Sequence, residues 1–215
     1  SDDSSLLAFV SSSRNHKEAR LKLADPETGE VRNVLVETAE TFFESGRGRV
    51  NWHALPETNE AIWFSQRDNW GHLYLYDLET GDLKHQITTG DWAVLQLLRI
   101  DKANRILYFT GAGREPGDPY FHYLYRVGMD GTGLELLTPE PAHHTITFSV
   151  TGSYFVDDYS TPTVPAITIL RAADGEHLLT IEKMDISRLE EAGWQPPIPF
   201  TVKARDNVTD LYGLM

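Results

Sequence analysis

A pattern that recurs about every 44 to 52 residues limits the possible folds of this chain more than any other feature. In "HLYLYDLETGDLKHQIT" an alternating apolar run meets an Asp-Gly turn and a second β-rich run. "ARLKLADPETGEVRNVLV" superposes on it with Gly29 on Gly81, a shift of 81 − 29 = 52 that also sets Leu21 on Leu73 and Asp25 on Asp77. "HYLYRVGMDGTGLELLT" sets Leu124 on Leu75 (124 − 75 = 49), and "AITILRAADGEHLLTI" sets Asp174 on Asp130 (174 − 130 = 44). Three of these hairpins follow a further apolar run, "EAIWFSQ", "RILYFTG" or "GSYFVDD", so each unit holds about four strands. Four strands in 40 to 50 residues is the size of a β-propeller blade.

Strand signals dominate, because β-branched and aromatic residues cluster in short runs bounded by Gly, Asp, Asn and Pro. Leu73 and Leu75 alternate with Tyr74 and Tyr76, which places leucines on one face and tyrosines on the other. A strand apolar on both faces suits a sheet packed between two others, with each tyrosine hydroxyl reaching a partner. "RDNWG" and "LETGD" each supply a glycine for a reversal at positive φ. The fold class expected is all-β, a partial propeller of three to four four-stranded antiparallel blades at roughly 1–48, 49–95, 96–145 and 146–183. An antiparallel sandwich is the alternative; aromatics at matching points of successive units favour the propeller. From Met184 the pattern breaks. "DISRLEEAGW" has helical spacing at Ile186, Leu189 and Trp194 with Asp185 as N-cap, and "QPPIP" must be extended, so 184–199 reads as a helix and linker. "FTVKARDNVTDLYGLM", 200–215, starts a new hairpin and reads as the first strands of another domain. "SLLAFVSS" at one end and "VTDLYGLM" at the other read as interrupted strands, which suggests an excised piece.

The 215 residues carry 19 Lys plus Arg against 32 Asp plus Glu, a net charge of −13 that repels phosphate backbones and anionic lipid. Nucleic acid is therefore not an expected partner. Cysteine is absent, which removes disulfides, thiol catalysis and the usual zinc sites and leaves the compartment open. No apolar run approaches the roughly 18 residues of a membrane span, and the start lacks a basic region followed by an apolar one.

Contiguous catalytic motifs are missing: there is no Gly-x-Ser-x-Gly elbow, no phosphate loop, no His-Glu-x-x-His and no EF-hand loop. His143 and His144 are neighbours on a strand, point to opposite faces and so share no metal; a turn or solvent role is expected. Asp157 and Asp158 are separated in the same way, with "VDDYSTP" read as a strand end entering a loop and both carboxylates as structural. Glu190 and Glu191 read as a solvated helix face. In "ESGRGRVNW", Arg47 and Arg49 sit among glycines in an acidic chain, where guanidinium forks suit carboxylate or peptide-carbonyl binding; a local salt bridge is the competing role. Asn207 in "NVT" fits a glycosylation sequon.

The succession "IWFSQRDNWGHLYLYDLETGDLKHQITTGDWAV", "ILYFTG" with "YLYRVGMDGTGLELLT", and "ITFSVTGSYFVDDYSTPTVPAITIL" resembles the C-terminal half of the propeller in dipeptidyl peptidase IV-like enzymes, serine peptidases of the prolyl oligopeptidase family. The resemblance is strongest from Asn51 to Thr180, and the tail resembles the passage into that family's α/β-hydrolase domain. It implies an eight-bladed parent ring that filters peptides by their free N-terminal end, while a hydrolase domain releases N-terminal Xaa-Pro or Xaa-Ala dipeptides. The triad would lie beyond Met215, so the chain alone is expected to be inactive, without catalytic residues, metal or cofactor. Glu190 and Glu191 do not match the family's paired glutamates, which lie on an earlier blade. The "GRGR" segment corresponds to a loop whose arginine reaches toward the substrate, which makes Arg49, and after it Arg47, the substrate-binding candidates; Gly48 stands where an aromatic is usual. The partners implied are a peptide substrate through the parent, the hydrolase domain of the same parent chain and a homo-oligomer, in a periplasmic or secreted setting. A stand-alone propeller-like module that binds protein or glycan is the rival reading.

Overall fold

The structure, a computed structural model, describes residues 6–44 and 51–215. It is all-β: among the described residues one α-helix, α1 (Ser187–Glu191), and one 3-10 turn (Pro56–Thr58) accompany the strands. No helix among them is long and apolar enough to cross a membrane. The chain forms two compact units, 1–111 with 126–134, and 112–125 with 135–215.

Sheet one is β1 (Leu7–Ser12), β2 (Glu18–Ala24) and β3 (Val31–Thr38). Sheet two is β4 (His53–Leu55), β5 (Glu60–Ser65), β6 (His72–Asp77) and β7 (Leu83–Gln86). Sheet three is β8 (Ala93–Asp101), β9 (Ile106–Ala112), β10 (Tyr123–Gly128) and β11 (Glu135–Leu136). Sheet four is β12 (His143–Phe148), β13 (Tyr154–Thr161), β14 (Val164–Ala172) and β15 (His177–Lys183). A separate hairpin pairs β16 (Pro199–Lys203) with β17 (Asp210–Leu214). In every sheet the strand order follows the chain, which is the meander of a propeller blade, so the architecture is a partial β-propeller. β8 opens at Ala93 and β12 at His143, slightly ahead of the divisions drawn at 95/96 and 145/146.

Sheet two explains why both faces of its third strand are apolar. β5 and β6 pair Trp63 with Tyr74 and Ala61 with Tyr76, and this face packs on Ala19, Leu21, Leu23, Val34 and Leu35 of sheet one. Leu73 and Leu75 take the opposite face and are also buried. Each such fully buried side chain contributes about 1.5–3 kcal/mol relative to exposure. The tyrosine hydroxyls find partners: Tyr74 donates to Asp68, and Tyr76 accepts from Arg67 Nη2 at 2.6 Å.

The recurrent Asp-Gly signal has a common cause. Asp77 Oδ1 accepts the backbone N–H of Glu79 and Thr80, Asp25 those of Glu27 and Thr28, Asp130 that of Thr132, and Asp174 that of Glu176. The glycine that follows turns left-handed in all four, and in three of them it also makes room for a neighbour. A Cβ on Gly81 would strike the Val34 carbonyl; on Gly175 it would lie 2.8 Å from the Leu137 carbonyl, and on Gly131 3.2 Å from that of Ile87. A Cβ on Gly29 would meet nothing within 4 Å.

Two local expectations are corrected. In "RDNWG" the left-handed residue is Asn69 (φ 73), whose side-chain polarity tolerates that region. Gly71 is needed for space instead, since a Cβ there would lie 2.7 Å from the Phe64 ring. The cap of α1 is Ile186 rather than Asp185, although Asp185 Oδ1 still accepts the Ser187 N–H at 2.9 Å.

Candidate functional site

In the first unit, carboxylates cross between sheets. Glu37 on β3 accepts from Trp63 Nε1 at 2.6 Å, from the Ser65 hydroxyl, and from Arg67 Nη2 at 2.9 Å, so an acid of sheet one is held by three donors of sheet two. Arg67 also lies 4.4 Å over the Tyr74 ring, a cation-π contact. Glu60 on β5 is buried and faces Arg105 Nη1 at 2.8 Å, Lys84 Nζ at 3.2 Å and the Thr58 hydroxyl at 2.8 Å. Burial alone would raise its pKa, but the hydrogen bonds from Arg105, Thr58 and Lys84 prevail and hold it at about 2, below the ordinary 4.5. A depressed folded-state value adds stability above the ordinary pKa and loses it as pH falls toward about 2. Urea unfolding between pH 5 and about pH 2 should therefore show an acid-side loss of stability that is smaller in Glu60→Gln; equal slopes in the two proteins would contradict this.

The second unit holds a buried ionic cluster. His144 Nδ1 lies 2.7 Å from Asp157 Oδ1 and its Nε2 lies 2.9 Å from the Glu140 carbonyl. Arg171 Nε donates to Asp157 Oδ2 at 3.0 Å, Nη2 to Glu140 Oε2 at 2.6 Å, and Nη1 to the Gly175 carbonyl at 2.9 Å. His144, Asp157 and Arg171 are at most 3% exposed. Sheet register assembles them: His144 pairs with Tyr159 and Phe155 with Arg171, which brings β12, β13 and β14 residues to one face. Glu140, His144 and Asp157 offer ligand atoms within 4.8 Å of one another, a metal-cage spacing. Arg171 supplies the cation to both carboxylates, so the cluster is a closed ion-pair network and its chemistry is structural.

The same unit contains an open cleft of about 1210 Å³ between the 117–121 and 160–163 segments and the β16–β17 hairpin. Tyr120, Phe121, Phe200 and Tyr212 line it with the hydroxyls of Ser160, Thr161, Thr163 and Thr201. Tyr120 and Tyr212 meet edge to face at 6.1 Å. His143 lines the cleft and its ring centroid lies 4.1 Å from that of His122.

The expectations for single residues divide accordingly. His143 and His144 do lie on opposite faces, but His144 is buried in the cluster rather than in a turn or solvent. Asp157 and Asp158 also separate; they sit in the body of β13 rather than at its end, with Asp157 buried and Asp158 exposed. Glu190 and Glu191 are exposed on α1. Arg47 and Arg49 lie outside the described residues. The cluster was missed because its four members come from separate segments; the signal for it was phase, since His144 falls on the same face as Ile146 and Phe148.

Residues 1–166 match the family described as the dipeptidyl peptidase IV (DPP IV) N-terminal region. Dipeptidyl peptidase 4 of Trichophyton rubrum is 29% identical over 135 residues, 59% of this chain and 16% of that protein. Dipeptidyl peptidase 4 of Arthroderma otae is 31% identical over 110 residues, 47% of this chain and 13% of that protein. The crystal structure of Porphyromonas gingivalis dipeptidyl peptidase 4 superposes with a TM-score of 0.80 at 20% identity, covering 98% of this chain and 29% of that one. The chain thus spans about a sixth or less of the curated relatives. With a blade meander throughout and a family match over most of its length, the chain belongs to the dipeptidyl peptidase IV N-terminal region family.

Proposed function

We propose that the chain is the non-catalytic propeller portion of a larger dipeptidyl peptidase, gating and orienting peptides for a serine-hydrolase domain of the same parent that releases N-terminal Xaa-Pro or Xaa-Ala dipeptides. The family match over residues 1–166 carries this reading, together with relatives that are dipeptidyl peptidases several times longer. In this reading 1–183 is propeller, 184–199 the helix and linker, and 200–215 the first strands of the hydrolase domain. Arg49, with Arg47 beside it, contacts the peptide through its guanidinium, which suits carbonyl and carboxylate oxygens.

The test is a chromogenic Gly-Pro substrate offered to the purified 215 residues. No turnover above the uncatalysed rate is expected, and turnover by this chain would overturn the reading. The cleft ringed by Tyr120, Phe200, Tyr212 and hydroxyls favours a second reading, a protein- or glycan-binding module. A Gly-x-Ser-x-Gly motif downstream in the parent reading frame supports the peptidase; a stop codon near Met215 supports the module.

A further inference from the structure

Two buried histidines differ in what faces their ring nitrogens. His72 sets Nε2 2.9 Å from the Gly90 carbonyl and Nδ1 3.0 Å from the Thr88 hydroxyl. A hydroxyl both donates and accepts, and Thr88 Oγ1 already accepts the Leu73 N–H, so a ring protonated on Nε2 alone satisfies every group there. His144 has no such freedom. Its Nε2 faces the Glu140 carbonyl at 2.9 Å and its Nδ1 faces Asp157 Oδ1 at 2.7 Å, while Arg171 Nε donates to the other oxygen of that carboxylate. A carbonyl and a carboxylate only accept. A ring with one N–H would therefore set a nitrogen lone pair against an oxygen lone pair at one of the two contacts, and His144 is only 2% exposed.

The charge count points the same way. Asp157 and Glu140 bring two carboxylates and Arg171 one guanidinium, which leaves the network one cation short unless His144 supplies it. The other titratable rings against His144 are Tyr159 on β13, at 5.2 Å between centroids, and Tyr123 on β10, at 5.6 Å. Burial pushes both phenols up from their ordinary 10.0, helped by Glu140 and Asp157 at Tyr159 and by Glu115 and Asp118 at Tyr123, so neither carries charge near neutral pH. From the segment before β10, the His122 carbonyl takes the His144 backbone N–H at 3.0 Å. His143 points to the opposite face.

We infer that His144 is held as an imidazolium in the folded chain, and that its second proton locks the Glu140 turn to sheet four as a pH-sensitive joint inside the second unit. With that proton in place the turn, β12, β13 and β14 close on one another through four donated hydrogen bonds, two from His144 and two from Arg171. Its loss turns one of them into a repulsion and leaves the carboxylates with one cation between them. A proton bound in the folded chain and released on unfolding supports the fold at low pH, and that support is withdrawn as pH rises. Glu60 in the first unit works in the opposite sense, its contribution being lost as pH falls.

Ring-nitrogen NMR of the labelled 215-residue chain reads the protonation state. At about pH 7.5, where an exposed histidine is mostly neutral, His144 should show two similar shifts of a doubly protonated ring and His72 the widely split pair of a neutral one. The wild-type urea midpoint should fall between about pH 6 and pH 9, and the fall should be at most about half as large in His144→Gln. A split, neutral pattern at His144, identical patterns for the two rings, or an undiminished fall in folded His144→Gln would each overturn the inference. Should His144→Gln not fold, the wild-type spectrum decides alone.

Discussion

Asp157→Ala should destabilise the second unit by about 3–5 kcal/mol, whereas Asp158→Ala, one residue away, should fall within about 0.5 kcal/mol. Asp157 is fully buried and accepts from both His144 and Arg171, while Asp158 is exposed. Its removal leaves a guanidinium in the interior with only Glu140 and the Gly175 carbonyl to face. The cost comes from the charge left behind rather than from the strength of the pair. The same argument predicts that His144→Leu/Asp157→Leu/Arg171→Met, which removes the polar groups together, is less destabilised than Asp157→Ala alone. Urea unfolding followed by circular dichroism measures all three. Equal midpoints for Asp157→Ala and Asp158→Ala would refute the structural role assigned to the cluster.

That cluster also marks where sequence reading fails. Strands and turns were legible because their causes are local: alternation in "HLYLYD", and an Asp side chain that captures the N–H groups of its own turn. The double-faced burial of β6 followed from the same alternation. Glu140, His144, Asp157 and Arg171 touch only because three strands take a particular register, and register is set by tertiary pairing. Each residue nonetheless carried a local hint: His144 is in phase with Ile146, Asp157 with Phe155 and Tyr159, and Arg171 with Ile167 and Ile169. Three charged or ionisable residues in phase with apolar faces on consecutive strands predict a buried network. Treating His143–His144 and Asp157–Asp158 as pairs obscured it, because the partners lie across the sheet. The Gly71 misreading has a similar origin, since the requirement comes from the Phe64 ring and not from the turn.

The turn glycines make the second large prediction, because four similar turns differ in what lies above them. Gly29, Gly81, Gly131 and Gly175 all have positive φ, between 73° and 92°, so an alanine at any of them costs about 1–2 kcal/mol for the left-handed backbone. Gly29→Ala should cost no more than that, with open space around its Cβ. Gly131→Ala adds a tight approach to the Ile87 carbonyl at 3.2 Å, Gly175→Ala a clash with that of Leu137 at 2.8 Å, and Gly81→Ala a closer clash with that of Val34. A backbone carbonyl cannot rotate aside like a side chain, so relief requires the two sheets to separate and surrender packing in the core cluster that holds Leu21, Leu23, Trp63 and Tyr76. The expected order of destabilisation is Gly29, Gly131, Gly175, Gly81, with the last about 3 kcal/mol or more. Urea midpoints of the four alanine variants decide it. Four equal losses would mean that turn conformation alone explains these glycines and that the carbonyl seat does not set the spacing between sheets.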